Sequence, residues 1–108
     1  MSEQREAGSA RLDAIAGELL DEPDVAMARM FGSDGLSVRG KFFAFVASDG
    51  RLVVKIDARR IEELGLDNMV MRGRAMREWA AIPYAAGEQR WLEAVREAHG
   101  FVDSITAR

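Results

Sequence analysis

Two hydrophobic periods alternate along the chain, one typical of helices and the other of strands. From Ser9 and again from Gly87, apolar residues recur every three or four positions, which predicts an N-terminal and a C-terminal helix. Ser9 is the expected N-cap of the first helix, Pro23 follows its end, and residues 1–8 are expected to be disordered. The predicted stripes are Leu12, Ile15, Ala16, Leu19 and Leu20 in the first helix, and Trp91, Val95, Ala98, Val102 and Ile105 in the last.

Between the two helices, the pattern shortens to alternation and predicts strands. Four apolar runs, at 25–31, 35–38, 41–47 and 51–56, are separated by short glycine-containing turns. Asp49-Gly50 is a strong hairpin signal, because a type I′ turn needs positive φ. These runs predict an antiparallel meander.

A short helix and one or two further strands complete the predicted fold. Asp57 is placed to cap a helix that ends at Gly65, and two apolar runs flank Gly73. The 108 residues are therefore expected to form one α+β domain, a meander sheet packed with N-terminal and C-terminal helices. Five methionines in the strand region are expected to fill its core: Met27, Met30, Met69, Met71 and Met76.

The composition narrows the functional classes. The chain has no cysteine, a net charge of -3, no apolar run long enough for a signal peptide, and none long enough for a membrane span. These features predict a cytoplasmic protein without membrane contact. Residues 39–77 nevertheless carry nine basic and five acidic residues, so the middle of this acidic protein is locally basic.

The glycine cluster Gly32-Ser33-Asp34-Gly35 raises the question of phosphate binding. It matches neither a dinucleotide loop nor a P-loop, and only the bare G-x-x-G of RNA-clamping loops. Its predicted flanks are strands, and Asp34 would repel a phosphate. We therefore predict a turn between strands.

No set of residues suggests catalysis. His99 is the only histidine, and no orienting partner or nucleophile is recognisable from the sequence. The acidic run Asp21 to Asp24 is more typical of a solvated loop than of a metal site. We predict a non-enzymatic protein with no catalytic residues, cofactor or metal.

The stretch Met71 to Trp79 is the strongest candidate for a binding site. Arg72, Arg74 and Arg77 lie close to Trp79, and arginine with an aromatic residue can hold phosphates and stack on bases. The alternative is a solvated strand face with Trp79 in the core. Basic residues of neighbouring strands would extend such a patch: Arg39, Lys41, Arg51 and Lys55.

Several short motifs occur in a fixed order along the chain. They are Arg29-Met30-Phe31-Gly32, then Leu52, Val54, Lys55 and Ile56, then Gly73-Arg74-Ala75-Met76 with Trp79, and finally Trp91. Together they resemble the N-terminal domain of the TfoX/Sxy competence regulators over residues 12–106, with Ala75 where that family usually has proline. The resemblance implies a compact α+β domain related to YjbR-like proteins. Full-length regulators carry a second, helical domain that these residues do not include, so a competence role is not expected.

Three functions remain open at this point. The resemblance and the absence of a catalytic set favour an interaction module with an unknown protein partner in a transcription-linked process. Direct nucleic-acid binding through the arginine patch and binding of a small ligand are the alternatives. An uncovered sheet edge or an exposed Trp91 would also favour a two-fold homodimer.

Overall fold

The alternating runs fold into one antiparallel sheet of six strands, in the order β1-β2-β3-β4-β6-β5. The computed structural model describes residues 3–30 and 33–106, and the sheet is accompanied there by three helices and a 3₁₀ turn, Tyr84–Ala86. The strands are β1 (Val25–Met30), β2 (Ser33–Val38), β3 (Lys41–Val46), β4 (Leu52–Lys55), β5 (Asp67–Met71) and β6 (Arg74–Ile82), and the helices are α1 (Glu3–Leu19), α2 (Ala58–Leu64) and α3 (Glu88–Ile105).

All three helices contribute to a core on one face of this sheet. Ile15 of α1, Ile61 of α2 and Val95 of α3 join one buried cluster with Leu52 and Val54 of β4. The predicted α+β domain with flanking helices is confirmed. Among the described residues, no helix is long and apolar enough to cross a bilayer.

The opposite face of the sheet, called the open face below, carries a smaller apolar group. Val53 alternates with the two core residues of β4 and pairs across the sheet with Phe45 and Ala81, and all three are buried. A bulge in β3 places Phe43 in the helix-side core and leaves Phe42 opposite Ser37. The bulge therefore determines that Phe43, and not Phe42, faces the helices.

Local signals set the ends of α2. The carboxylate of Asp57 accepts a hydrogen bond from the Arg59 amide at 2.8 Å, and Gly65 adopts a left-handed φ of 66° at the C-terminal end. Arg60 then connects α2 to α3 through a hydrogen bond from its Nε to Glu97 at 2.8 Å, which raises the pKa of the guanidinium. Both predicted caps are confirmed.

The start of the chain differs from the sequence prediction. Helix α1 begins at Glu3, so Ser9 lies inside it and is not its N-cap, and Glu3 to Gly8 are helical rather than disordered. Gly8 is buried against the β3–β4 turn, where a Cβ atom would lie 2.6 Å from the carbonyl oxygen of Gly50. Gly8 and Gly50 both lack the side chain that would block this close approach. No apolar stripe in this part of the sequence predicts it. Residues 1–2 lie outside the described residues.

The predicted glycine turn is wrong for three of its four residues, because Ser33, Asp34 and Gly35 belong to strand β2. Strand β2 begins at Ser33 rather than Gly35, and Ser33 pairs with Met30 of β1. Gly32 lies outside the described residues. Gly35 is a strand residue whose missing side chain leaves room for the ring of Phe42, which a Cβ would meet at 3.1 Å.

The hairpin of β5 and β6 contains the second irregularity of the sheet. Asn68 pairs with Ala80, whereas the next residue, Met69, pairs with Met76, so the residues between 76 and 80 bulge out of the ladder. The side-chain amide of Asn68 donates to the carbonyls of Met76 and Arg77 at 3.1 and 3.2 Å. The Asn68 side chain therefore stabilises this bulge.

Candidate binding surface

The three predicted arginines are all exposed on the β5–β6 hairpin. Arg72 and Gly73 form its two-residue turn with φ values of 53° and 77°, and Arg74 and Arg77 follow on β6. None of the three side chains forms an ion pair within the described part of the chain. Arg72 lies in the turn, Arg74 at the start of β6 and Arg77 in the bulge, so the three are spread along the hairpin rather than forming a compact cluster.

Trp79 is half-buried on the open face, not in the helix-side core. Its ring lies 5.7 Å from that of Phe45, and Nζ of Lys55 lies 5.5 Å from the ring centroid. Trp79 also shares a cleft of about 530 Å³ with Arg77. The structure thus brings together Arg77 and Trp79 among the predicted residues, with Arg72 and Arg74 further along the hairpin.

A second cleft, of about 480 Å³, continues from the open face to the end of α3. Phe42, Trp79 and Lys55 are half-buried residues of its lining, and Lys41 is an exposed one. Ile105, predicted as a core residue, also lines this cleft and is 57% exposed. Phe42 could not be identified from the sequence, because only the bulge in β3 places its side chain in this cleft.

Some basic residues of the neighbouring strands form ion pairs with nearby acidic residues, and one holds parts of the fold together. Arg51 pairs with Asp49 at 2.8 Å, and Lys55 lies 3.9 Å from Glu78. Arg39 is committed to the fold: its Nη1 lies 2.7 Å from a carboxylate oxygen of Asp103. Only part of the predicted extension of the patch is therefore available to a ligand.

Arg39 fastens the end of α3 to the β2–β3 turn. Its Nη2 donates to the carbonyls of Asp103 and Thr106 at 2.9 and 3.2 Å, and the side chain is only 16% exposed. Asp24, from the predicted acidic run, lies 3.7 Å away. One residue of the acidic run, Asp24, therefore takes part in the contact through which Arg39 holds the end of α3.

Replacing Arg39 by asparagine is expected to lower the free energy of unfolding by about 1–3 kcal/mol, because the Asp103 carboxylate and two carbonyls lose a half-buried charged donor. Asparagine tolerates the left-handed φ of 48° at this position, so the loss reports on the guanidinium. Urea unfolding measures it. Arg51→Asn is the control: its exposed pair with Asp49 predicts a change below about 1 kcal/mol, and equal losses would contradict the proposed role of Arg39.

His99 has a packing role. Its ring contacts that of Phe43 edge-on at 5.5 Å, and it borders a cleft of about 320 Å³ with Arg39 and Asp103. The described residues contain no group of three potential metal ligands among His, Cys, Asp and Glu.

Charge is divided between the two layers of the domain. The three helices carry ten acidic and six basic residues, a net charge of -4. The six strands with their hairpin turns carry eight basic and four acidic residues, a net charge of +4. The sheet layer is therefore the part of the molecule that attracts anionic groups.

The methionines of the outer hairpin lie at this surface. Met27 packs against the core as predicted, but Met69, Met71 and Met76 are half-buried and outside it. Met69 and Met71 line a cleft of about 320 Å³ with Phe45 and Arg51. The hairpin tip therefore turns toward the open face and presents adaptable apolar side chains beside arginines.

A scan against protein-family models and a search of curated proteins find no match to this chain.

Proposed function

We propose that this protein is a non-enzymatic interaction module of the cytoplasm that binds an acidic region of another protein in a transcription-linked process. The observation that carries the proposal is the row of exposed, unpaired arginines, Arg72, Arg74 and Arg77, on a sheet layer of net charge +4. Unpaired arginines at a surface are suited to carboxylate groups, which they bind with two parallel hydrogen bonds.

The surroundings of the arginines favour a protein partner over a nucleic acid. Val70 is 60% exposed, and Met69 and Met71 lie next to it, so apolar contacts accompany the charges. The helix layer, with its net charge of -4, would repel a long polyanion that wrapped around the domain. The transcription link rests on the resemblance to the TfoX/Sxy N-terminal domain, which stays a prediction.

Single-stranded nucleic acid is the second candidate, because of one specific arrangement. Phe42 and Trp79 flank Lys55 in the cleft of the open face. Aromatic side chains beside a basic group bind bases by stacking, without sequence preference. This candidate predicts that Phe42 and Trp79, rather than the hairpin arginines, dominate binding.

The test is a titration of the purified protein with a labelled glutamate-rich peptide and with mixed-sequence single-stranded DNA and RNA, at low and moderate salt. The double variant Arg74→Glu/Arg77→Glu is expected to weaken peptide binding by about tenfold or more, since it replaces attraction by repulsion. Arg59→Glu/Arg90→Glu, at exposed helix positions, makes the same change in net charge and is the matched control.

The outcomes separate the candidates. Peptide binding that weakens with salt and falls only in the hairpin variant supports the proposal. Nucleic-acid binding that falls on Phe42→Ala or Trp79→Ala favours the second candidate. Equal losses in both charge variants would show a non-specific effect of net charge, and no binding of either ligand at low salt would overturn both candidates.

A further inference from the structure

Strand β5 lies at one edge of the sheet. It pairs with β6 on one side, and no other strand of the described residues pairs with its outer side. Asp67 is its only charged residue, and it contains no proline and no lysine. The common protections of an edge strand are therefore largely missing here.

Val70 is the residue of this edge whose side chain is exposed and whose backbone amide and carbonyl are not paired with β6. Because the turn contains two residues, Met71 and Arg74 form the hydrogen-bonded pair that closes the hairpin. In an antiparallel ladder the next pair, Val70 with Ala75, is not hydrogen-bonded. The amide and carbonyl of Val70 therefore point away from β6.

A cleft borders this edge. It has a volume of about 320 Å³ and extends from the tip of β5 to the β3–β4 turn. Arg51 on its wall is paired with Asp49, and the unpaired Arg72 follows directly after β5. An extended segment lying on the edge would thus meet backbone hydrogen-bonding groups, an apolar side chain and positive charge together.

We propose that β5 accepts an extended acidic segment of the partner protein as a seventh strand of the sheet, with the Val70 amide and carbonyl as its central contact. The inference rests on the proposed function and specifies how the partner binds. In strand addition, backbone hydrogen bonds supply affinity and alternate side chains supply specificity. Acidic side chains on the added strand would then face the basic sheet layer.

The experiment uses a short labelled peptide of alternating glutamate and valine, and the same peptide with its central valines replaced by proline. Val70→Pro removes the outward amide without removing a hydrogen bond to β6, and Val70→Ala is the matched control that keeps the amide. We expect Val70→Pro to weaken peptide binding by about tenfold and Val70→Ala by no more than about threefold. Circular dichroism and thermal unfolding check the fold of both variants.

Hydrogen exchange of the wild-type protein provides a second measurement that does not depend on a variant. Exchange of the Val70 amide is expected to slow when the alternating peptide binds and not when the proline peptide is added. A folded Val70→Pro variant with wild-type affinity, or unchanged exchange at Val70 under peptide saturation, would overturn strand addition and leave the proposed function standing. Failure of every acidic peptide to bind would overturn both.

Discussion

Replacing Trp91 by alanine is expected to lower the free energy of unfolding by about 3–5 kcal/mol, the usual range for removing a buried aromatic residue. Trp91 is fully buried in α3, at the point where the helix layer meets the loop after β6. Its indole Nε1 donates to the carbonyl of Pro83 at 3.0 Å, and its ring lies 5.7 Å from that of Tyr84 in an edge-on contact. The substitution therefore leaves a cavity and removes one of the two hydrogen bonds that the Pro83 carbonyl accepts, the other coming from the Ala86 amide.

A third element contributes to the same contact. The guanidinium of Arg11 in α1 lies 3.5 Å from the ring centroid of Tyr84 and 4.8 Å from that of Trp91, and it donates to the Tyr84 carbonyl at 2.7 Å. Trp91 thus connects α3, the 3₁₀ turn and α1. A loss of this size is a large part of the about 5–15 kcal/mol that a domain of this length has in total.

Urea unfolding of two control variants separates the contributions. Trp91→Phe keeps most of the buried area and loses the hydrogen bond, so we expect a smaller loss of about 1–2 kcal/mol. Trp79→Ala removes a half-buried indole from the open face and is expected to cost less than Trp91→Ala, because solvent already reaches its ring. If the two alanine variants lost equal stability, the assignment of Trp91 to the core and Trp79 to the surface would be wrong.

Most of the fold could be predicted because its signals are local. The Asp57 cap, the left-handed Gly65 and the turns at Arg39-Gly40 and Arg72-Gly73 each depend on a few neighbouring residues. Glycine, which tolerates positive φ, follows α2 and takes the second position of both turns, so element order and class follow from the sequence.

The parts that could not be predicted depend on contacts between distant residues. The first turns of α1 carry no apolar stripe, and they are held by the approach of Gly8 to Gly50. The bulge in β3 reverses which face Phe42 and Phe43 occupy, and alternation along a single strand does not reveal such a shift.

Part of the candidate binding surface could likewise be predicted from the sequence, and part of it could not. Arg72, Arg74, Arg77 and Trp79 could be selected from composition and spacing, and the structure leaves the three arginines exposed. The importance of Val70 could not be anticipated, because an edge strand is defined only by the order of all six strands. β5 follows β4 in the chain but lies beyond β6 in the sheet, so its outer side depends on the whole topology.

Replacing Gly8 by alanine is expected to destabilise the protein by about 1–3 kcal/mol, although alanine is the better helix former. A Cβ at this position would lie 2.6 Å from the carbonyl oxygen of Gly50 and 3.0 Å from Cγ1 of Val46. The nearest atom belongs to the backbone of a tight turn with a φ of 89° at Gly50, so it cannot move aside like the end of a long side chain. Steric overlap then outweighs the helix propensity.

Gly17 in α1 and Gly100 in α3 are the matched controls for this substitution. Both are exposed, and a Cβ would meet no atom within 4 Å at either position. Gly17→Ala and Gly100→Ala are therefore expected to stabilise the protein by about 0.5–1 kcal/mol each, through the lower backbone entropy of alanine in the unfolded chain. Urea unfolding of the three variants tests the sign as well as the size. Stabilisation by Gly8→Ala similar to that of the controls would mean that α1 does not pack on the β3–β4 turn. The contacts of α1 with the sheet would then begin only at Leu12, close to the helix start at Ser9 that the apolar stripe predicts.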